Sequence, residues 1–508
     1  MMARRAIIVL GMLLAWGRGA YGLDPTLDVS QYAHTAWKIR DGFAKGEILS
    51  VAQTPDGYLW VGTEYGLLRF DGVRAVPWQP PTGEQLPNNR IASLLTARDG
   101  TLWIATLKGL ASWKDGKLTQ YPEVAGQVVS PLLEDRQGTV WIGLYDPGRV
   151  CAIRAGKIEC GGAANLGRAV VALYEDRKGN LWVSANGLWR WAPGLPEHYT
   201  FPRGVLEINS IIEDDSGALL LATNNGLKRL VNGTIEDHVL PGIAGQFRPN
   251  FLFRSSDGSL WVGTHQGVLH VHQGRTDRLT AAEGLSGDFI DGIFEDREGS
   301  VWVATQDGLD RFRDFTVPTI SRNQGLPNST TWSVQASPDG SIWIGTAGGL
   351  TRWENGHMTV YGSRKTLGQS QRTDEREANV RGAVTEIANS GLVGTPQTLG
   401  QDDRKRLWVS TSEGAFYFEG GRFIRVPAVP GGSIISLAGD GHGNVWILDS
   451  APALFHVMSE GDVQRVPSSI FAQRWARALL PDQLQDGVWL GFYQGGLDYL
   501  KDSQVRTS

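Results

Sequence analysis

His270 and His272 are the side chains with the most evident chemistry. On a strand, where side chains alternate between faces, a His-x-His pair presents both imidazoles to one side, as two ligands of a transition metal would stand. A closed metal site needs about four ligands, and the surrounding sequence shows no third. The pair, with His265 nearby, is read as exposed outer-strand histidine, and neither a metal nor a cofactor is expected. Aspartate recurs more regularly. Asp56, Asp99, Asp135, Asp176, Asp257, Asp296 and Asp339 are read as one turn position that precedes a tryptophan or its equivalent, where a carboxylate caps the N–H groups of its own turn. Calcium loops also use Asp-Gly pairs, but their spaced acidic ligands and closing glutamate are missing here. No Gly-x-Ser-x-Gly elbow, phosphate loop, zinc-protease helix or kinase catalytic motif occurs, so no catalytic residue is expected and the chain reads as non-enzymatic. The two cysteines of the chain, Cys151 and Cys160, bracket Ala155-Gly156. If those two residues turn a hairpin, the cysteines face each other with Cα atoms about 4.5 Å apart, within reach of a disulfide.

A repeat of roughly 41 residues carries these positions. Ile48-Leu49-Ser50-Val51, then Asp56-Gly57, then Leu59-Trp60-Val61-Gly62-Thr63, then Gly66-Leu67-Leu68-Arg69-Phe70 with Asp71-Gly72 is the first clear copy. Its tryptophan returns at Trp103, Trp141, Trp182, Trp261, Trp302, Trp343, Trp408, Trp446 and Trp489, with Leu220 in the fifth copy, which makes eleven copies. Each unit reads as an inner strand, a tight turn, a continuously apolar second strand covered on both faces, a third strand, and a looser fourth. That is the content of one propeller blade. The glycine of Val-Gly-Thr is expected to make room for the indole of the adjacent blade. No helix of normal length is signalled after the first 22 residues.

Propellers close with about 4 to 8 blades, so eleven copies require two rings. The fold class is therefore all-β, with tandem β-propellers: a seven-bladed ring over residues 23–316 and four blades of a second ring over 317–508. A polar insertion lies around 363–389, just where the tryptophan period stretches from 41 to 65 residues. Four blades leave the second ring incomplete, and the sequence reads as truncated. At the other end, Arg4 and Arg5, an apolar run from Ala6 to Trp16, and Ala20-Tyr21-Gly22 read as a cleaved export signal over residues 1–22. The run is too short for a spanning helix, which needs about 20 residues. An oxidised cysteine pair fits an exported chain. With 48 Lys and Arg against 53 Asp and Glu mixed along the sequence, a net charge of -5 argues against a nucleic-acid partner.

The frame Ile-x-x-Ile-x-x-Asp-x-x-Gly-x-Leu-Trp-Ile-Gly-Thr-x-x-Gly-Leu-x-Arg-Phe resembles the two-component regulator propeller repeat from about Tyr32 to the C-terminus. Ile293 to Thr305 with Gly308-Leu309-Asp310-Arg311-Phe312 is a close copy, and Gln324-Gly325-Leu326-Pro327-Asn328 matches the segment between blades. The ninth copy departs, with Lys405 in place of the turn glycine. The resemblance implies the periplasmic sensor region of a bacterial signalling protein. In that family two seven-bladed propellers precede a β-sandwich, a membrane helix and usually a histidine kinase, and none of these downstream modules is in the sequence.

In a propeller, the starts of inner strands and the loops joining second to third strands meet over the central channel. Aligned on Ile48, these positions are Glu47, Arg90, Arg168, Glu207, Arg248 and Asp288, and the loops add Tyr65, Lys108, Asn224, Asn225, His265 and Gln306. Mixed charge with an aromatic suits a small polar ligand such as an oligosaccharide, and suits ordinary solvated loops equally. The leading expectation is a periplasmic ligand-sensing region, dimeric in its full-length protein and joined to a membrane only through segments beyond Ser508. A free streptogramin-lyase-like propeller enzyme using a channel histidine, and a passive interaction scaffold, are the alternatives.

Overall fold

The computed structural model describes residues 22–507 apart from 162–165, 200–206, 244, 315–318, 355–356, 363–384, 389–390, 433, 451–452, 460, 472–473, 483, 494 and 503. The export segment expected over residues 1–22 thus lies outside the described residues save for Gly22. Among the described residues there are only strands and single 3₁₀ turns of three or four residues. Two compact units divide the chain, residues 1–318 and 319–508.

The first unit holds seven four-stranded antiparallel sheets. In the first of them Ile48–Gln53 pairs with Leu59–Thr63, that strand with Gly66–Phe70, and that with Ala75–Pro77. The inner strands form a circle. Ile48–Gln53 packs beside Ile91–Thr96, and the series runs on through Val129–Glu134, Ala172–Glu175, Ile208–Glu213 and Pro249–Arg254 to Ile290–Glu295, which packs against Ile48–Gln53 again.

Closure uses a strand the repeat frame does not show. The seventh sheet takes its fourth strand from the start of the chain: Ala33–Lys38 pairs antiparallel with Gly308–Arg313, from Ala33 opposite Arg313 to Lys38 opposite Gly308. Trp37 on this strand stacks on Trp302 at 5.5 Å and meets the edge of Phe70 from the first blade at 5.1 Å. His34 stacks on Phe312 and lies 2.7 Å from the buried carboxylate of Asp310, which also accepts the Ser286 N–H.

The cores lie between blades. One buried cluster joins Trp60 and Leu67 of the first blade to Ile91, Ile104 and Leu118 of the second; another joins Val61 and Phe70 to Trp302 and Leu309 of the seventh. Second strands such as Leu59–Thr63 are buried at every residue, hence their unbroken apolar sequence. The glycine of this strand receives not an indole, as expected, but the isoleucine that opens the next inner strand. A Cβ on Gly62 would lie 2.7 Å from Ile91 Cγ2, and one on Gly263 would lie 2.6 Å from Ile290 Cγ2 and 2.9 Å from its Cβ. The indole ring packs toward the neighbouring blade elsewhere on the strand, while its N–H reaches back to its own turn, as Trp60 Nε1 does to Thr54 Oγ1 at 2.8 Å.

The turn aspartates occupy two positions rather than one. Asp135, Asp176 and Asp296, six residues before the tryptophan, cap the turn with Oδ1 and accept the indole N–H with Oδ2 at 2.7, 2.8 and 2.7 Å. In the fifth blade, where Leu220 stands in the tryptophan slot, Asp214 Oδ2 accepts Arg229 Nε instead. Asp56, Asp99 and Asp339, four residues before the tryptophan, cap the turn but pair outward with Arg69, Lys114 and Arg352. Ala97 then stands at the earlier position of the second blade, and Trp103 Nε1 has no hydrogen-bond partner among the described residues. The expected hairpin at Ala155-Gly156 has φ of +46° and +75°, and Cys151 and Cys160 are opposed and bonded.

The second unit contains four sheets whose inner strands, Thr331–Ala336, Pro396–Gln401, Ile434–Gly439 and Ala476–Asp482, pack in series. The first of these sheets has a fifth strand. Thr385–Ala388, inside the region expected to be a loop insertion, pairs in parallel with His357–Tyr361; 363–384 and 389 lie outside the described residues. Lys405 adopts φ +63°, holding the left-handed conformation that glycine supplies in other copies. On the first inner strand Trp332 and Val334 are 59% and 62% exposed.

Two outcomes follow. Gly263→Ala should destabilise the first unit by about 1–3 kcal/mol through overpacking against Ile290, read as an earlier urea midpoint. Trp332→Ser combined with Val334→Thr should reduce self-association in light scattering with little change in melting temperature, because both side chains are already largely in solvent.

Candidate ligand-binding site

Strands alternate in direction, so each inner strand begins at the end of its sheet where the second strand turns into the third. One hydrogen bond repeats there. The first N–H of the loop donates to the carbonyl just before the inner strand: Glu64 to Glu47 at 3.2 Å, Leu107 to Arg90 at 3.4 Å, Asn224 to Glu207 at 3.4 Å, His265 to Arg248 at 3.4 Å and Gln306 to Phe289 at 3.1 Å. The structure thereby brings Glu47 beside the loop of Tyr65, Arg90 beside that of Lys108, Glu207 beside Asn224 and Asn225, and Arg248 beside His265. Phe289, and not Asp288, holds this place in the seventh blade. Asp288 serves the connection between blades, its carboxylate accepting the Ala281 N–H at 2.7 Å and its carbonyl the Gly267 N–H at 2.7 Å. The misplacement arises because alignment on apolar residues is uncertain by one position at a strand start.

Several of these side chains are committed to neighbours. Arg90 pairs with Glu64 at 3.1 Å, and Arg168 makes a bidentate pair with Asp146 at 3.0 and 2.9 Å. The His265 ring rests on Phe289 with centroids 4.5 Å apart, and Gln306 donates to Asp307 at 3.3 Å. Tyr65 is 69% exposed, an aromatic face open to solvent. Tyr145, which the sequence did not single out, lies near Glu207; burial first and that carboxylate second raise its phenol pKa.

His270 and His272 are not exposed, as the sequence led us to expect, and both side chains are fully buried. They sit on the third strand of the sixth blade, Gly267–His272, covered by the fourth strand Arg275–Leu279 and by the N-terminal segment around Val29 and Tyr32.

A further set of residues was missed. In ten of the eleven sheets the pairing of first and second strands slips just after the start of the inner strand. A β-bulge re-aims a side chain out of the regular alternation. The bulged residues in the first unit include Leu49 and Ala92, then Asn209, Asn250 and Asp291 on three successive blades. Asn250 Nδ2 donates to the Ile290 carbonyl of the next blade at 2.8 Å. Asp291 Oδ2 is buried with no hydrogen-bond partner among the described residues. Burial, and next the negative charge of Glu47, raise the Asp291 carboxyl pKa to about 7. The signal available in the sequence was the polar residue after the opening apolar one: Ile208-Asn209, Pro249-Asn250 and Ile290-Asp291.

The sign of the Asp291 shift fixes a pH effect. The native state keeps a proton that the unfolded chain releases near the ordinary value of 3.8, so this group's stabilising contribution is lost as pH rises from about 4 through about 7. Asp291→Asn, neutral at every pH, should therefore melt at or above the wild-type temperature at about pH 8, with its advantage shrinking toward about pH 4. Lower stability than wild type at the higher pH would mean that the ionised carboxylate has a compensating partner.

The family model described as the two-component regulator propeller matches residues 42–65, 85–108, 166–187 and 284–307. Each segment runs from the connection before an inner strand into or through the second-to-third loop or strand start. No curated protein matches the sequence. Among solved structures, the extracellular domain of a hybrid two component system from B. thetaiotaomicron is 19% identical with a TM-score of 0.65 over 94% of this chain and 66% of that one. This chain thus spans slightly less than two thirds of the length of that solved extracellular domain, and the likeness shows a shared fold. Virginiamycin B lyase from Staphylococcus aureus is 16% identical with a TM-score of 0.45, over 56% of this chain and 100% of that one. Four segments of the first unit thus carry the repeat described as the two-component regulator propeller.

Proposed function

We propose that the chain is the extracytoplasmic ligand-sensing region of a two-component signalling protein, and that it takes a small polar ligand of the oligosaccharide class at the loop-bearing end of the first unit. One observation carries the ligand class. Asn209, Asn250 and Asp291 stand at equivalent bulges on three neighbouring blades, in a ring whose other bulged positions include Leu49 and Ala92. Amide and carboxyl groups both donate and accept, as hydroxyl-rich ligands require. An unpaired buried carboxyl is costly unless something completes its hydrogen bonds, and a ligand hydroxyl at Asp291 would do so. Tyr65, exposed on the adjoining loop, offers a face for a sugar ring. The family repeat supports the signalling role.

The test is a thermal-shift screen of the whole chain against oligosaccharides, with hits repeated on Asp291→Ala and Asn250→Ala. A binding member at 100 times its Kd should stabilise the protein by about 2.7 kcal/mol, and both substitutions should weaken it at least tenfold. A hit that stabilises both variants as well as wild type, or a panel with no hit, overturns the assignment.

A further inference from the structure

The buried histidines of the sixth blade form a group that the ligand site does not use. His272 Nδ1 lies 2.5 Å from the Pro25 carbonyl, an atom that can only accept. Nδ1 therefore carries the proton, and Nε2 is left to face Asp277 Oδ2 at 2.6 Å. Asp277 Oδ2 also accepts the Val29 N–H at 3.1 Å. Beyond it, Asp28, next to Val29 in the chain, brings a second carboxyl group close enough for the charge of Asp277 to act on it. Arg275 reaches the edge of the cluster, with Nε 3.4 Å from His272 Nε2 and Nη2 donating to the Thr26 carbonyl.

His270 supplies the independent observation. It is 0% exposed, neither of its ring nitrogens has a hydrogen-bond partner among the described residues, and Nδ1 is 4.0 Å from Asp277 Oδ2. Its ring stacks on that of His272 at 4.3 Å. A buried imidazole with both nitrogens unsatisfied is unfavourable, and this one stands against a carboxylate and a second imidazole. One ligand atom from each of His270, His272 and Asp277 can be chosen so that all lie within 4.8 Å of one another. Tetrahedral zinc, with bonds of about 2.0–2.1 Å to nitrogen and oxygen, sets its ligands about 3.3 Å apart. The separations of 2.6 and 4.0 Å bracket that value. The Nδ1–H bond to a backbone carbonyl is the usual outer contact that fixes a ligating histidine in the tautomer with Nε2 free.

We infer that His270, His272 and Asp277 bind one divalent transition-metal ion of the zinc class, with Asp28 as the fourth donor, and that the ion ties the segment 23–32 to the sixth blade. Two imidazoles and carboxylate oxygens form a donor set suited to this class of ion. Asp28, Val29 and the Pro25 carbonyl all come from the N-terminal segment, so the site exists only when that segment is seated. Metal uptake and seating are then one event.

The experiment uses the whole untagged chain, freed of metal with a chelator and titrated with cobalt(II) and then zinc. The expected results are the visible d–d absorption of tetrahedral cobalt, its displacement by zinc, and about one zinc per chain by mass spectrometry. His270→Gln removes an imidazole that makes no hydrogen bond among the described residues, so the fold should hold. It should lose metal affinity by at least tenfold, while His265→Gln, at an exposed site, should match wild type. Chelation should also speed proteolytic cleavage within residues 23–32. A wild-type chain that gives no cobalt spectrum and holds no zinc overturns the inference, and so does a His270→Gln variant that binds as tightly as wild type.

Discussion

No blade in this protein can bury its own faces. The second strand is apolar on both sides, and among the described residues no α-helix covers the sheet, so each face must find the next sheet. The geometric condition is a small residue at one place on that strand. At Gly62 and Gly263 the isoleucine opening the following inner strand enters the space a Cβ would take, and Ala105, Gly143, Ser184, Ala222 and Ala304 hold that place in the other blades of the first unit. Packing at that point fixes the distance and angle between neighbours, and repetition of one angle bends the series into a circle. The shared clusters between blades one and two, and between seven and one, show the same contact on either side of a single sheet. Stability is thus a property of neighbours, as in other repeat architectures.

Within several blades a second device holds the turn. A single aspartate six residues before the tryptophan uses one oxygen on the backbone and the other on the indole, so turn and core are fixed by one carboxylate. Where the aspartate sits two residues later, the turn survives but its second oxygen goes to a cation on the third strand. The scaffold tolerates that exchange because the indole N–H can turn to Thr54 Oγ1, as that of Trp60 does, or the indole can be held by packing, as at Trp103. Such tolerance leaves positions outside the frame, the bulges and loop tips, free to vary in chemistry from blade to blade.

Much of this was legible in the sequence, since the repeat exposes its own period. The strand pattern, the number of sheets, and the cysteine register through Ala155-Gly156 follow from spacing and turn chemistry. Three features were hidden for physical reasons. Ala33–Lys38 carries no repeat signature because its partner strand lies about 270 residues away in the chain, and long-range pairing leaves no local pattern. The bulges were invisible because an extra residue in one strand looks like ordinary sequence until its partner is known. Asp277 was overlooked as a companion of His270 and His272 because it joins them across a hairpin. Their burial depends on a segment from the far end of the chain, and no window around residue 270 contains it.

The closing strand has a mechanical meaning. Ala33 stands opposite Arg313, so the first and last strands of the ring lie in one sheet. A pull transmitted through the residues after Arg313 acts first on that sheet, against hydrogen bonds to a strand near the N-terminus and against the Trp37–Trp302 and His34–Phe312 stacks. Force and fold closure therefore share one place, and tension arriving from the second unit is borne at the clasp of the ring before it reaches the other six blades.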